Sequence, residues 1–494
     1  MKSRTGALFI FVLAFGLPLA AVASSVGFSA QTSPGSSNGA HADLNNDGRE
    51  DFVAPGGAGF TVQLSTGDGV YAAPVNYPLP AGAQPQLLAV ADFNGDGQAD
   101  VFILGTQQGS TQNTAYVYLN NGSGTFTLAG QYPTPAINSG VAGLVAGDFN
   151  HDGRMDVAWV QYPYVITWLG LGNGTFTAGP RTQIQYAGPL MMGDFDGDGH
   201  ADLAVGDYTN YQNVQVLYGD GTGAFPDFRV VKLPQGYHSL SGSADVNSDG
   251  RMDLVAATFY PDNPNYISVY YGLSDRSWTA NTIIPIAHCA GRTAPTAADV
   301  NGDGINDLIV AESDCKDDAE TTHYIGVLTR NGNATYNVEQ TVYESSSPSL
   351  TLSNVTVIRA NADTKPDIAF SQCISTPCVY ATDFVLKTLL NTTAGTFHSC
   401  NAPDAFVGVN VCSPSATSPT TAVPFHIGAA GQTRMRKVEV WVDGKKLGEQ
   451  LNSFSRYAFF DGTFNLNPGT HQVDIYAAGW DNGLVRKSFS LAVQ

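Results

Sequence analysis

The chain has 494 residues, of which 13% are charged, 11% are aromatic and 54 are glycine. That length exceeds one ordinary core, and the composition excludes a coiled coil or a disordered tail. The formal net charge of −20 argues against nucleic acid as a partner.

Lys2 and Arg4 precede an apolar run from Ala7 to Leu19, and Ala21-Val22-Ala23 offers a small-residue cleavage site. This pattern reads as a signal peptide over residues 1–23. The run is shorter than the ~20 apolar residues of a membrane span. No second such run follows, so the mature chain is expected to be secreted, without a membrane span, and a monomer.

A D-x-[ND]-x-D-G-x-x-D motif then recurs along the chain. Its full copies are Asp43-Asn45-Asp47-Asp51, Asp92-Asn94-Asp96-Asp100, Asp148-Asn150-Asp152-Asp156, Asp194-Asp196-Asp198-Asp202, Asp245-Asn247-Asp249-Asp253 and Asp299-Asn301-Asp303-Asp307. An eroded seventh copy aligns Arg359, Asn361, Asp363, Thr364 and Asp367. Copies start about 50 residues apart, the scale of a repeat architecture. Some 30 residues after each motif, a turn of small residues ends in an aromatic, as in "NNGSGTF" at Phe126 and "GLGNGTF" at Phe176. Weaker versions end at Tyr71, Trp278, Tyr336 and Phe397. The intervening runs, such as "ADVFILG" and "VQVLYG", are short, β-branched and glycine-bounded, which predicts strands. Four short strands per unit, seven times over, predict an all-β, seven-bladed β-propeller across residues 24–400.

Carboxylates and amides at positions 1, 3, 5 and 9 of one tight loop supply the oxygen donors that Ca²⁺ prefers, and Gly at 6 permits the reversal. An EF-hand would place Glu at position 12, whereas position 12 here is Ala54, Ile103, Trp159, Val205, Ala256 or Val310. The loop therefore runs into a buried strand, and the aspartate at position 9 is expected to close the site. Up to six calcium sites follow, each worth about 1 kcal/mol at millimolar calcium. In the seventh copy Arg359 is expected to pair with Asp363 and Asp367 in place of a cation.

On these motifs and turns the chain resembles the FG-GAP (VCBS) repeat family, including the propeller of integrin α-subunits, over about residues 40–400. The resemblance implies a metal loop joining the innermost strand of each blade to the second. It also implies binding of matrix proteins or glycans, so the expected partner is an extracellular glycan or protein. The connections from strand two to three, and from blade to blade, then lie on the opposite face. These carry Tyr162, Tyr164, Tyr208, Tyr211, Tyr260 and Tyr266, with Tyr237-His238 and the acidic loop Asp314–Glu320. Exposed tyrosines suit sugar or peptide recognition, although packing on the propeller rim is an equal reading. A strand near Val26–Ala30 is expected to close the ring.

Six cysteines in an exported chain predict disulfides. Cys289 with Cys315, Cys373 with Cys378, and Cys400 with Cys412 are the pairings their positions favour. From residue 401 the motif stops, and runs such as "KVEVWVDGKKLGEQ" predict a β-sandwich resembling bacterial immunoglobulin-like domains. No nucleophile elbow, HExxH or P-loop occurs. Binding is expected rather than catalysis, with a calcium-assisted polysaccharide lyase using a Tyr or His base as the alternative.

Overall fold

The computed structural model describes residues 26–494 except 35–38, 111, 138, 210–211, 234–236, 248, 250, 260–265, 280–281, 291–294, 304, 315–321, 332–334, 346–351, 362, 364, 374–383, 394–407, 415–416, 419, 431–434, 452–456 and 480–483. The expected signal peptide and the cysteines at 315, 378 and 400 fall outside the described residues. Among the described residues every regular element is a strand, and no helix is long and apolar enough to cross a membrane.

Seven antiparallel sheets follow one another along the chain. Blade 2 shows the pattern: Ala83–Ala91, Asp100–Gln107, Asn113–Asn120 and Phe126–Pro133 pair in sequence order. Blades 1 and 3–5 repeat it, and in blade 6 the first strand is split into Cys289–Ala290 and Thr296–Ala298. Each motif loop joins the first strand to the second, as the resemblance implied. The sheets form a β-propeller, because no blade can cover its own faces. The second strand of blade 2 is buried from Asp100 to Gly105. Its Val101 and Ile103 pack against blade 1 with Phe60 and Val62, and its Phe102 and Leu104 pack against blade 3 with Trp159 and Trp168. The period-two alternation of a strand therefore feeds two cores, so a strand covered on both faces reads as an unbroken apolar run. Every pair of neighbouring blades shares such a cluster.

The ring closes through the N-terminal segment. Phe28–Pro34 pairs antiparallel with Phe384–Asn391, from Phe28↔Asn391 to Pro34↔Val385, and becomes the outer strand of blade 7. Val26 N–H donates to Gln340 Oε1 at 2.9 Å, and Lys387 Nζ to Thr32 Oγ1 at 2.7 Å. Blade 7 meets blade 1 where Glu50 N–H donates to Arg359 O at 2.9 Å, and where Phe52 and Tyr71 pack with Ile358 and Leu386.

The remaining strands form two sheets around a separate core. Gly408–Ser413, Ala422–Ala430 and Tyr457–Asn465 make one. The other orders Thr417–Ser418, Leu484–Val493, Gly469–Gly479, Met435–Val442 and Lys445–Leu451. Phe425, Ile427, Val438, Val440, Val473 and Leu491, all fully buried, fill the space between them. Neither Cys289 nor Cys373 is a free thiol.

Candidate metal centres

Each loop is shaped by its own side chains. Glycine at position 6 adopts a left-handed φ of 80° to 94° at Gly48, Gly97, Gly153 and Gly199, where an L side chain would be strained. Its N–H donates to the first aspartate, as Gly48 N does to Asp43 Oδ2 at 2.9 Å and Gly97 N to Asp92 Oδ2 at 2.8 Å. The position-5 carboxylate accepts the N–H of position 7, from Arg49 to Asp47 and from Gln98 to Asp96 for example. Loop amides thus hold the carboxylates at positions 1 and 5 in one turn, with the position-3 side chain beside them.

This donor set fits a hard cation. In loop 4 the carboxylate oxygens of Asp194, Asp196 and Asp202 lie within 4.8 Å of one another. The five loops with Asn at position 3 present an amide oxygen in the same register, with the amide nitrogen donating to the position-5 carboxylate at 2.9–3.2 Å. Position-7 arginines lean on that carboxylate in blades 1, 3 and 5, as Arg49–Asp47 (2.6 Å), Arg154–Asp152 (3.8 Å) and Arg251–Asp249.

The aspartate at position 9 does more than close a site. Asp51, Asp100, Asp156, Asp202, Asp253, Asp307 and Asp367 are all fully buried. One oxygen of each accepts the N–H of loop position 2, and the other accepts an N–H at the end of the third strand. Asp156 takes Phe149 N at 2.9 Å and Gly170 N at 2.7 Å, and Asp51 takes Leu44 N at 2.9 Å and Ser65 N at 2.7 Å. The eroded seventh copy does the same, Asp367 taking Ala360 N at 3.0 Å and Asn391 N at 2.8 Å. The residue is therefore first a backbone staple between strands two and three. Burial pushes its carboxyl up, to about 8 at Asp51 and Asp307 and about 7 at Asp100 and Asp156, and well above the usual range at Asp202 and Asp253. A cation in the loop opposes that shift by favouring the ionised form.

The outer turns cap these loops in trans. Gly124 N–H of blade 2 donates to Leu44 O of loop 1, Gly174 N to Phe93 O of loop 2, and Gly223 N to Phe149 O of loop 3. The turn aromatic then packs on the same loop's second residue, Phe93 with Phe176 (5.5 Å) and Phe149 with Phe225 (5.8 Å). Across the ring closure Gly69 N reaches Ala360 O of loop 7 at 3.3 Å. The signal for this contact was in the sequence, because position 2 is apolar in every copy. Only its partner lay one repeat away.

In loop 7 the described bonds of both aspartates run to amides. Asp367 is held by the amides above, and Asp363 by Asn361 Nδ2 and Lys365 N. Arg359 is buried and knits the ring closure, its N–H donating to Glu50 Oε2 at 3.2 Å.

On the opposite face, Tyr162 and Tyr208 are 46% and 51% exposed. Tyr164 instead packs on the core between blades 2 and 3, and Tyr266 starts a strand half-buried. Tyr164 is placed by the apolar alternation of its strand, so it follows the rim-packing reading rather than the exposed one. Tyr211 and Tyr260 lie outside the described residues, as do the side chains of Tyr237 and His238.

A family model described as the FG-GAP-like repeat matches residues 43–103, 102–159, 148–205 and 245–310. The chain carries FG-GAP-like repeats. No curated protein matches the sequence. Among solved structures, an Agrocybe aegerita lectin that recognises non-reducing terminal N-acetylglucosamine is 16% identical, with 75% of this chain and 87% of that one covered and a TM-score of 0.44. The S. cerevisiae core factor is 10% identical over 76% and 63%, with a TM-score of 0.47. Fibronectin(III)-like modules of Clostridium thermocellum CbhA are 16% identical over 18% and 97%, with a TM-score of 0.15. These likenesses are too distant to bear on function. The FG-GAP-like blades are what positions the six full loops on one face of the propeller.

Proposed function

We infer that the chain is an exported, calcium-stapled binding module whose face opposite the metal loops recognises an extracellular glycan or protein. The oxygen donors that six loops gather at positions 1, 3, 5 and 9 carry the metal half of this reading, and in loop 4 those of Asp194, Asp196 and Asp202 lie within 4.8 Å of one another. Recurrence of the same loop in five other blades extends it. Calcium there would be held by the oxygens of positions 1, 3, 5 and 9, and the chemistry it supplies is charge neutralisation. The exposed rings of Tyr162 and Tyr208 support recognition on the far face, as aromatic anchors with polar tips. The C-terminal sandwich is read as an immunoglobulin-like spacer. Binding is proposed, without turnover.

The test is an array of glycans and matrix proteins probed with the mature protein in calcium and again in chelator, beside a thermal melt in each. Retention of a ligand class in calcium, weakened by Tyr162→Ala or Tyr208→Ala, is the expected result. Equal melting in calcium and chelator would sink the metal half. Product release from a polysaccharide would replace binding with catalysis.

A further inference from the structure

Loop 4 departs from the other full loops at its third position, where Asp196 replaces asparagine. In the other five loops the asparagine amide donates to the fifth-position carboxylate. Asp196 has no such proton, so its carboxylate and that of Asp198 would face each other unrelieved. The structure puts a guanidinium between them. Arg276 donates from Nε to Asp196 Oδ2 at 2.7 Å and from a terminal nitrogen to Asp198 Oδ2 at 3.3 Å. Its remaining terminal nitrogen reaches Asp227 Oδ2 at 3.3 Å, and the group lies 4.7 Å over the ring of Tyr218.

Arg276 arrives from the outer turn of blade 5. The matching turn positions in blades 2, 3 and 4 are Gly124, Gly174 and Gly223, with φ of 71°, 77° and 84°. Arg276 keeps that left-handed geometry, with φ of 64°, although it is a conformation L-residues avoid. Two departures from the repeat, 80 residues apart, thus meet in space. One adds a negative charge, and the other supplies the fixed positive charge that answers it. Neither departure is explained alone: arginine is a poor choice for the turn, and a fourth carboxylate is a poor choice for the loop.

We propose that Arg276 is the resident cation of loop 4. It makes the junction of blades 4 and 5 independent of calcium, and it leaves loop 4 a weaker calcium site than the other five. The second part rests on the calcium reading of those loops. Asp194, Asp196 and Asp202 still converge, so an ion can enter. It would meet a positive charge already bound to Asp196, whose side chain is 3% exposed. The resulting loss of affinity is on the order of tenfold or more.

The experiment compares wild type, Arg276→Gly, and the double variant D196N/R276G, which restores the pattern of blades 2 and 3. In chelator, amide exchange over Asn213–Tyr218 and Tyr266–Tyr270 is expected to quicken on the order of tenfold in Arg276→Gly. The double variant should exchange as wild type does, since glycine suits the turn and the introduced side-chain amide can donate to Asp198. Calorimetric titration with calcium should find one more tight site in the double variant than in wild type. Unchanged exchange in Arg276→Gly, or no recovery in the double variant, would overturn the proposal, as would equal numbers of tight sites in wild type and the double variant. Should wild type bind no calcium at all, the calcium reading of the loops fails on its own, and the exchange comparison in chelator still decides the role of Arg276.

Discussion

Replacing Asp156 by asparagine separates the staple role of the ninth position from its ligand role. Asp156 is fully buried, and each of its oxygens accepts one backbone N–H, from Phe149 and from Gly170. Asparagine keeps one acceptor and turns an NH₂ toward the second amide. An orphaned buried N–H costs about 1–3 kcal/mol, and with its carboxyl pushed up to about 7 by burial Asp156 gains little extra from charge in the absence of an ion. Asp156→Asn should therefore destabilise the propeller by about 1–3 kcal/mol in chelator. Asn150→Ala removes only an exposed amide whose described partners are within the loop, so it should cost under about 1 kcal/mol there. In calcium, Asn150→Ala should additionally lose the contribution of one ion, and Asp156→Asn should lose it on top of its cost in chelator, because position 9 is also one of the proposed ligands. Asp367→Asn is the control, because the seventh loop has Arg359 at its first position yet the same two amide bonds. Urea denaturation followed by tryptophan emission reads all three, with Trp159 and Trp168 buried between blades 2 and 3. The reasoning is refuted if Asp156→Asn matches wild type in chelator and differs only in calcium.

Three further outcomes follow from the same geometry. Glu312 is buried beside Glu339, and burial first, then this neighbour, pushes its carboxyl up to about 9. The fold favours the protonated form, so its contribution is whole below the usual carboxyl range and is lost as pH rises through about 9. Wild type should thus lose stability relative to Glu312→Gln between pH 6 and about 9, and parallel melting curves across that range would contradict it. Deleting residues through Pro34 removes the outer strand of blade 7, so the propeller should lose its cooperative transition in a denaturant titration. Peptide mapping without reductant should link Cys289 to Cys315 and Cys373 to Cys378. A link between Cys289 and Cys373 would show the loops to be arranged differently.

What could be read from the sequence was what lies close along the chain. Loop spacing, glycine at position 6 and the apolar residue at position 12 ran each loop into a buried strand, and the resemblance implied that it joins the first strand to the second, which is where it sits. The closing strand was also foreseen near Val26–Ala30, although its pairing runs on to Pro34. Contacts between repeats were not readable in this way. Asp196 looked like an extra ligand, and Arg276 like one residue of a weakened turn, because nothing local connects positions 80 apart. The backbone of Arg359 meets Glu50 of blade 1 across the ring closure, a contact that nothing near it in the sequence announces. Tyr164 carried the residue type of a binding surface, but its strand alternation turns it into the core between blades.

The seven loops also show which of their residues the fold can least do without. Loop 7 has lost the first aspartate and the glycine of the full motif, yet it keeps Asp367, buried and bonded as in every other blade. A position held only for metal would have no reason to remain there. Its persistence is explained if the ninth aspartate ties the loop and the third strand together whether or not an ion is present. Positions 1, 3 and 5 then carry the charge that needs an answer, and the chain answers it in more than one way. Arg49, Arg154 and Arg251 neutralise from within their own loops, and Arg276 from the next blade. Loops 2 and 6 have Gln98 and Ile305 at position 7 and so no arginine of their own. By this argument they depend most on an external cation, and calcium should protect Phe102 and Ile309, just beyond them, from exchange more than it protects Ala204 at the same position beyond loop 4.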